Sequence, residues 1–150
     1  MSSRDVVRMT DAEVAAFLAA PRTLNVATIG PGGAIHLVAM WYLMQGASPV
    51  FTTYGKSQKV ANLRRDPRLT ALVESGDEYG TLRGVELVGT AELIEDFGEV
   101  VALVRAIGAH YGARGAGQDT ERAAAKRVGV RLIPERVVSW DHAKLAAIGR

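Results

Sequence analysis

Residues 50–68 read Val50-Phe51-Thr52-Thr53-Tyr54-Gly55-Lys56-Ser57-Gln58-Lys59-Val60-Ala61-Asn62-Leu63-Arg64-Arg65-Asp66-Pro67-Arg68. The apolar and β-branched run Val50 to Tyr54 reads as a strand. Gly55 breaks it. Ser57 to Arg65 then reads as a short helix, with Val60 and Leu63 on one side. Asp66-Pro67 ends that helix, because a residue before proline is pushed out of the helical region. Gly55-Lys56-Ser57 looks like the end of a P-loop, but that pattern needs a glycine five residues earlier. Val50 occupies the position, so the P-loop reading fails. The local chemistry survives. Free helix N–H groups, the Ser57 hydroxyl and the ammonium groups of Lys56 and Lys59 suit a phosphate. The plainer alternative is a serine N-cap on a solvated basic helix.

Working outward, Thr10-Asp11-Ala12-Glu13 has capping-box spacing and opens a first helix that Pro21 ends. Thr23 to Ile29 and Ile35 to Met44, joined by Gly30-Pro31-Gly32-Gly33, read as a hairpin. Its second strand is apolar at nearly every position, as in a strand covered on both faces. Leu69 to Glu74 and Val85 to Ile94 are further strands, with Gly89 marking a bulge. Asp96 caps a helix over Phe97 to Tyr111. Gly112 to Gly117 is a glycine-rich connector, and a short charged helix follows over 119–126. Val128 to Trp140 closes the chain as a sixth strand, kinked at Pro134. Six strands without βαβ alternation predict a mainly β antiparallel barrel with peripheral helices. No internal repeat or linker divides the chain, so 1–150 reads as one domain.

The chain has 150 residues, enough to bury roughly 70% of its unfolded surface without metal or disulfide staples. It has no cysteine, which removes disulfides, thiolate metal sites and cysteine nucleophiles. The net charge is only +2, but it is unevenly spread. Residues 56–68 carry five basic groups against Asp66, and residues 69–112 carry eight acidic groups against two basic. Residues 113–150 carry eight basic and four acidic groups. This is no broad basic footprint of a nucleic-acid binder. The longest apolar run, Ala34 to Met44, is shorter than the roughly 20 residues a membrane helix needs. The acidic N-terminus is unlike a signal peptide, so a cytoplasmic location is expected.

Other chemistries find little support. His36, His110 and His142 lack metal-ligand spacing. No Gly-x-Ser-x-Gly elbow occurs. Ser139-Trp140-Asp141-His142 is no triad, since adjacent strand residues point to opposite faces. No Gly-x-Gly-x-x-Gly follows a strand, which excludes a Rossmann site. Trp41, Trp140 and Tyr79 are either core packing or walls for a planar ligand.

Three stretches together resemble the pyridoxamine 5′-phosphate oxidase-like split barrels, and within them the actinobacterial F-420 (deazaflavin)-dependent oxidoreductases. They are Gly55 to Arg68, Arg83-Gly84-Val85 running to Gly89-Thr90-Ala91-Glu92-Leu93, and Pro134 to His142. The resemblance spans about Thr10 to Lys144 and implies a six-stranded split β-barrel, an FMN-binding type of fold, working as a homodimer with cofactor sites at the interface. Ser57, Gln58, Lys59 and Asn62 match the positions that hold the cofactor phosphate, with Thr52, Thr53 and Lys56 beside them. Ala39, Met40 and Trp41 match the strand along the ring system. Trp140, Lys144 and Tyr79 would reach the site from the partner chain. The implied reaction is hydride transfer between the deazaflavin coenzyme F-420 and a small acceptor such as a quinone, enone or tetrapyrrole. FMN is the alternative cofactor, and a non-catalytic flavin- or haem-type binding module the alternative role. No catalytic acid is identified, and neither a metal nor nucleic acid is expected.

Overall fold

The computed structural model describes residues 1–112 and 119–149. Its centre is one antiparallel sheet of seven strands in the order β2-β1-β5-β6-β7-β4-β3. In chain order the strands are β1 (Leu24–Ile29), β2 (Ile35–Met40), β3 (Leu43–Gln45), β4 (Ser48–Tyr54), β5 (Arg68–Ser75), β6 (Arg83–Ile94) and β7 (Arg127–Asp141). The helices are α1 (Ser3–Val7), α2 (Asp11–Ala19), α3 (Gln58–Arg65), α4 (Phe97–His110) and α5 (Asp119–Ala124). The expected mainly β antiparallel fold is present, as a curled half-barrel. Part of the expected connector, 113–117, lies outside the described residues.

The sequence signals for helix starts hold in detail. Thr10 and Glu13 form the anticipated capping box on α2, and Asp96 accepts the Glu99 N–H at 2.9 Å on α4. A second capping box, Ser2 with Asp5, starts α1, which sequence reading had not identified. Gly32 and Gly33, at φ 70° and 84°, supply the left-handed turn between β1 and β2. The register runs from Leu24 opposite Met40 to Ile29 opposite Ile35.

The strand expected over 35–44 is two strands. β2 ends at Met40, and β3 pairs with β4 across the chain reversal at Gly46. Trp41 and Tyr42 separate them. Tyr42 leaves the ladder to enter the core, where it is 1% exposed. Its hydroxyl donates to the Leu18 carbonyl at 2.7 Å, and its N–H donates to the Tyr111 hydroxyl at 3.2 Å. This break raises the strand count from six to seven. Within the chain, β2 is covered on one face rather than both. Ile35 and Leu37 are 66% and 67% exposed, while His36, Val38 and Met40 are half-buried.

Phe17, Leu24, Val26, Tyr42, Phe51, Val73, Leu87, Val130 and Leu132 fill the main core. A second apolar cluster on the outer face joins Val50 and Ile94 to Val100, Leu103 and Ala124, seating α4 and α5. Although β2 and β4 stand far apart in the strand order, Ala39 and Thr52 line one cavity. The sheet therefore curls until these strands approach. Among the described residues no helix is long and apolar enough to cross a membrane.

β6 carries the expected irregularity, a register shift between Val88 and Gly89. A Cβ added at Gly89 would lie 2.0 Å from the Ile133 carbonyl oxygen, a backbone atom that cannot swing aside. Gly89→Ala should therefore destabilise the fold by about 1–3 kcal/mol, read as a lower urea midpoint.

Candidate functional site

The turn into α3 is built by backbone bonds. The Gly55 N–H donates to the Lys126 carbonyl at 2.9 Å, and the Ser57 N–H to the Tyr54 carbonyl at 3.0 Å. Ser57 is the N-cap, with its oxygen accepting from the Val60 N–H at 3.4 Å. Its hydroxyl proton remains available to a ligand. Val60 and Leu63 are buried beneath the helix.

Asn62 is fully buried and makes three side-chain hydrogen bonds. Its amide donates to the Thr28 hydroxyl at 3.0 Å, while its oxygen accepts from Gln58 at 2.7 Å and Arg65 at 3.2 Å. Arg65 also donates to the Ile29 carbonyl at 2.8 Å. Asn62, expected among the phosphate contacts, pins α3 to β1, and Gln58 donates one N–H of its side-chain amide to Asn62. Thr53 is buried, 3% exposed, whereas Thr52 beside it faces the cavity shared with Ala39.

Ion pairing divides the basic block. Arg64 pairs with Glu95 at 2.5 Å and Arg68 with Asp66 at 2.7 Å. Hydrogen bonds from Arg68 hold the Asp66 carboxyl down at about 2. Lys56 and Lys59 make no ion pair among the described residues. Lys59 is half-buried, and burial holds its ammonium below the usual lysine range. Two uncompensated ammonium groups thus flank the exposed first turn of α3.

Ala39, Met40, Trp41, Thr52 and Arg127 line a cavity of about 450 Å³, with Val104 and Ile107 of α4 opposite. Trp41 is half-exposed and stacks on Tyr111, ring centroids 4.6 Å apart and planes 6° apart. The Tyr111 hydroxyl donates to the Arg22 carbonyl at 2.5 Å, and burial pushes its pKa up. Neither Tyr111 nor Arg127 emerged from the sequence as a site residue. Both come from elements remote in the chain, and only the curl of the sheet brings them to Trp41.

Tyr79, Trp140 and Lys144 form a separate group. Trp140 lies over Gly84, where a Cβ would meet its ring at 2.2 Å. Tyr79 packs on His142, with centroids 4.6 Å apart. Lys144 donates to the Arg8 carbonyl at 2.8 Å and pairs with Glu13 at 2.5 Å. Trp140 pairs with Gly84 and lines a different cavity from the one shared by Trp41 and Thr52. Neither Tyr79 nor Lys144 lines the Trp41 cavity. Among the described residues no three His, Asp or Glu side chains converge as a metal site.

The family model for pyridoxamine 5′-phosphate oxidase matches residues 10–141. The chain belongs to the pyridoxamine 5′-phosphate oxidase-like split-barrel family. This split barrel is similar to the conserved hypothetical protein Rv2991 of Mycobacterium tuberculosis, with 40% identity and TM-score 0.88 over 97% of this chain and 93% of that one. It is also similar to an F-420 reductase, with 25% identity and TM-score 0.68 over 81% and 93% of the two chains. The haem storage protein HutZ of Vibrio cholerae shares the fold at 14% identity, with TM-score 0.68 over 89% and 97%. No curated protein sequence matches the chain.

The split barrel's own residues fit a flavin-type group. The cavity has an aromatic and aliphatic wall for a planar ring, and uncompensated cations stand at the turn that follows Thr52 and Thr53. Asn62→Ala should strand Thr28 and loosen α3, lowering stability by about 1–3 kcal/mol. Lys56→Ala, at an exposed unpaired site, should stay within about 0.5 kcal/mol of wild type. Parallel urea titrations would separate the structural residue from the exposed one.

Proposed function

We propose that this split barrel is an oxidoreductase that uses the deazaflavin coenzyme F-420 to reduce a small organic acceptor such as a quinone, enone or tetrapyrrole. The observation that carries the reading is the pair of unpaired lysines, Lys56 and Lys59, at the Ser57-capped start of α3. Similarity to an F-420 reductase supports it. When bound, the coenzyme supplies the hydride. The chain supplies position and charge. Ser57 and Lys59 hold the phosphate, Lys56 adds attraction, and Ala39, Met40 and Trp41 face the ring. Asn62 and Gln58 act behind them, by fixing the helix.

The same reading makes the single 1–150 domain a cytoplasmic homodimer. Ile35, Leu37 and Ala39 present an apolar β2 face, and Val137 and Val138 on β7 are also exposed. Burying such surface against a second copy is favourable. A partner could also bring Tyr79, Trp140 and Lys144 to the Trp41 cavity, which they do not line within their own chain. Leu37→Glu should shift sedimentation from dimer towards monomer. A monomeric wild-type protein would defeat this part of the reading.

Fluorescence titration with oxidised coenzyme tests the cofactor directly. Tight binding of FMN with none of the deazaflavin would replace the reading with the flavin alternative. Lys59→Ala should weaken binding by about 1–3 kcal/mol through loss of a charge-assisted phosphate contact. Affinity has a signed pH dependence. An anion needs the Lys59 ammonium, and burial makes that ammonium lose its proton earlier than an ordinary lysine. Affinity should fall as pH rises through this lowered pKa, and Lys59→Ala should abolish that fall.

A further inference from the structure

Trp41 lies between β2 and β3 and lines the cavity, while Tyr111 caps the C-terminus of α4 beside it. The two rings are 6° from parallel with centroids 4.6 Å apart, so one face of the indole is covered. Trp41 nonetheless stays half-exposed. Apolar ring surface left in water adds nothing to folding. The open part of this indole is therefore not explained by stability.

Tyr111 is anchored along its whole length. Its backbone N–H donates to the Ile107 carbonyl at 3.2 Å, which keeps it on the last turn of α4. At the far end of the ring, its hydroxyl donates to the Arg22 carbonyl at 2.5 Å and accepts the Tyr42 N–H at 3.2 Å. These bonds fix both ends of the ring axis. His110 packs against the ring at near right angles, with centroids 5.2 Å apart. Ile107 and Gly108 of the same helix line the cavity with Trp41. The turn of helix that bounds the cavity thus also sets the tilt of its aromatic wall.

We propose that Tyr111 is a positioning residue, which holds the Trp41 indole at a fixed tilt so that its uncovered face stacks on the flat conjugated ring of the ligand. The role rests on the flavin-type reading of the cavity given above. Tyr111 does not itself line the cavity, so it acts through Trp41. What it supplies is preorganisation, since a wall already aligned loses no rotamer freedom when a ligand arrives. Its effect concerns the ring and not the phosphate, which separates it from the role of Lys59.

The test compares Tyr111→Phe, which keeps an aromatic ring, with Tyr111→Leu, which removes it. Both lose the hydroxyl and strand the Tyr42 N–H, so both should melt at a similarly lowered temperature. Only Tyr111→Leu should lose ligand affinity, by about three- to tenfold. The loss should be equal for the intact coenzyme and for its phosphate-free ring compound, each titrated by fluorescence. In a Trp140→Phe background Trp41 is the sole tryptophan. Its near-ultraviolet circular dichroism band should persist in Tyr111→Phe and weaken in Tyr111→Leu. Equal affinities in the two variants, whether lowered or not, overturn the positioning role. Should either variant fail to fold, NMR of the wild-type protein decides. Nuclear Overhauser contacts between the Trp41 and Tyr111 rings that persist while the ring compound shifts the indole N–H uphold the proposal, and their loss on binding overturns it. If wild type binds neither the deazaflavin ring nor riboflavin, the cofactor reading falls and takes the proposal with it. Binding without a difference between the variants removes the proposal alone.

Discussion

Tyr42 sits where two strands might have been one, and the rest of the site depends on its burial. A tyrosine this deep must satisfy its hydroxyl, because an unbonded polar group in the core is costly. The Leu18 carbonyl at the end of α2 meets that need, and the Tyr111 hydroxyl at the end of α4 takes the Tyr42 N–H. Burial drives the Tyr42 hydroxyl far above the ordinary tyrosine range, so it stays a neutral donor. Pulling Tyr42 inward ends β2 and starts β3. It also leaves Trp41, the preceding residue, half-exposed at the cavity and stacked on Tyr111. One core side chain thereby sets the strand break, the helix docking and the aromatic wall.

Charge organises the other half of the site. Several cations have an acidic neighbour, as Arg64, Arg68, Arg131 and Lys144 show. Such exposed pairs contribute little to stability, but they cancel local charge. Among the cations without an ion pair, Lys56, Lys59, Lys126 and Arg127 stand together at the α3 turn and the start of β7. The uneven charge visible along the sequence is therefore refined by folding. Of the basic block at 56–68, Arg64 and Arg68 are neutralised, Arg65 braces the helix on β1, and Lys56 and Lys59 have no ion-pair partner among the described residues.

Much of the fold was legible in short-range patterns. The capping box at Thr10, the Asp96 cap and the strand–glycine–helix at Val50 to Arg65 all depend on neighbours a few residues away, whereas the Gly89 bulge showed only by residue type, its partner Ile133 lying on β7. The split of the 35–44 run was not legible. Its apolar residues alternate with too little contrast to reveal that Tyr42 turns inward, and the tyrosine's partners lie 24 and 69 residues away. The site divides the same way. Ser57 as helix cap followed from its position, but whether Asn62 faced ligand or core depended on Thr28, which lies on another strand.

By itself the sequence determined the class of fold, the place of the serine-capped strand–glycine–helix turn and the absence of cysteine chemistry, because residue type and spacing carry that information. Tertiary structure alone decided which polar groups were already used. Asn62, Gln58 and Lys144 match ligand-holding positions, yet their side chains are engaged by partners within the chain. Arg127 and Tyr111 drew no notice in sequence, yet both lie against the Trp41 wall. The reason is physical. Hydrogen bonds and ion pairs are satisfied by whichever partner folding brings within about 3 Å, and that choice is a property of the curled sheet rather than of any one stretch of chain.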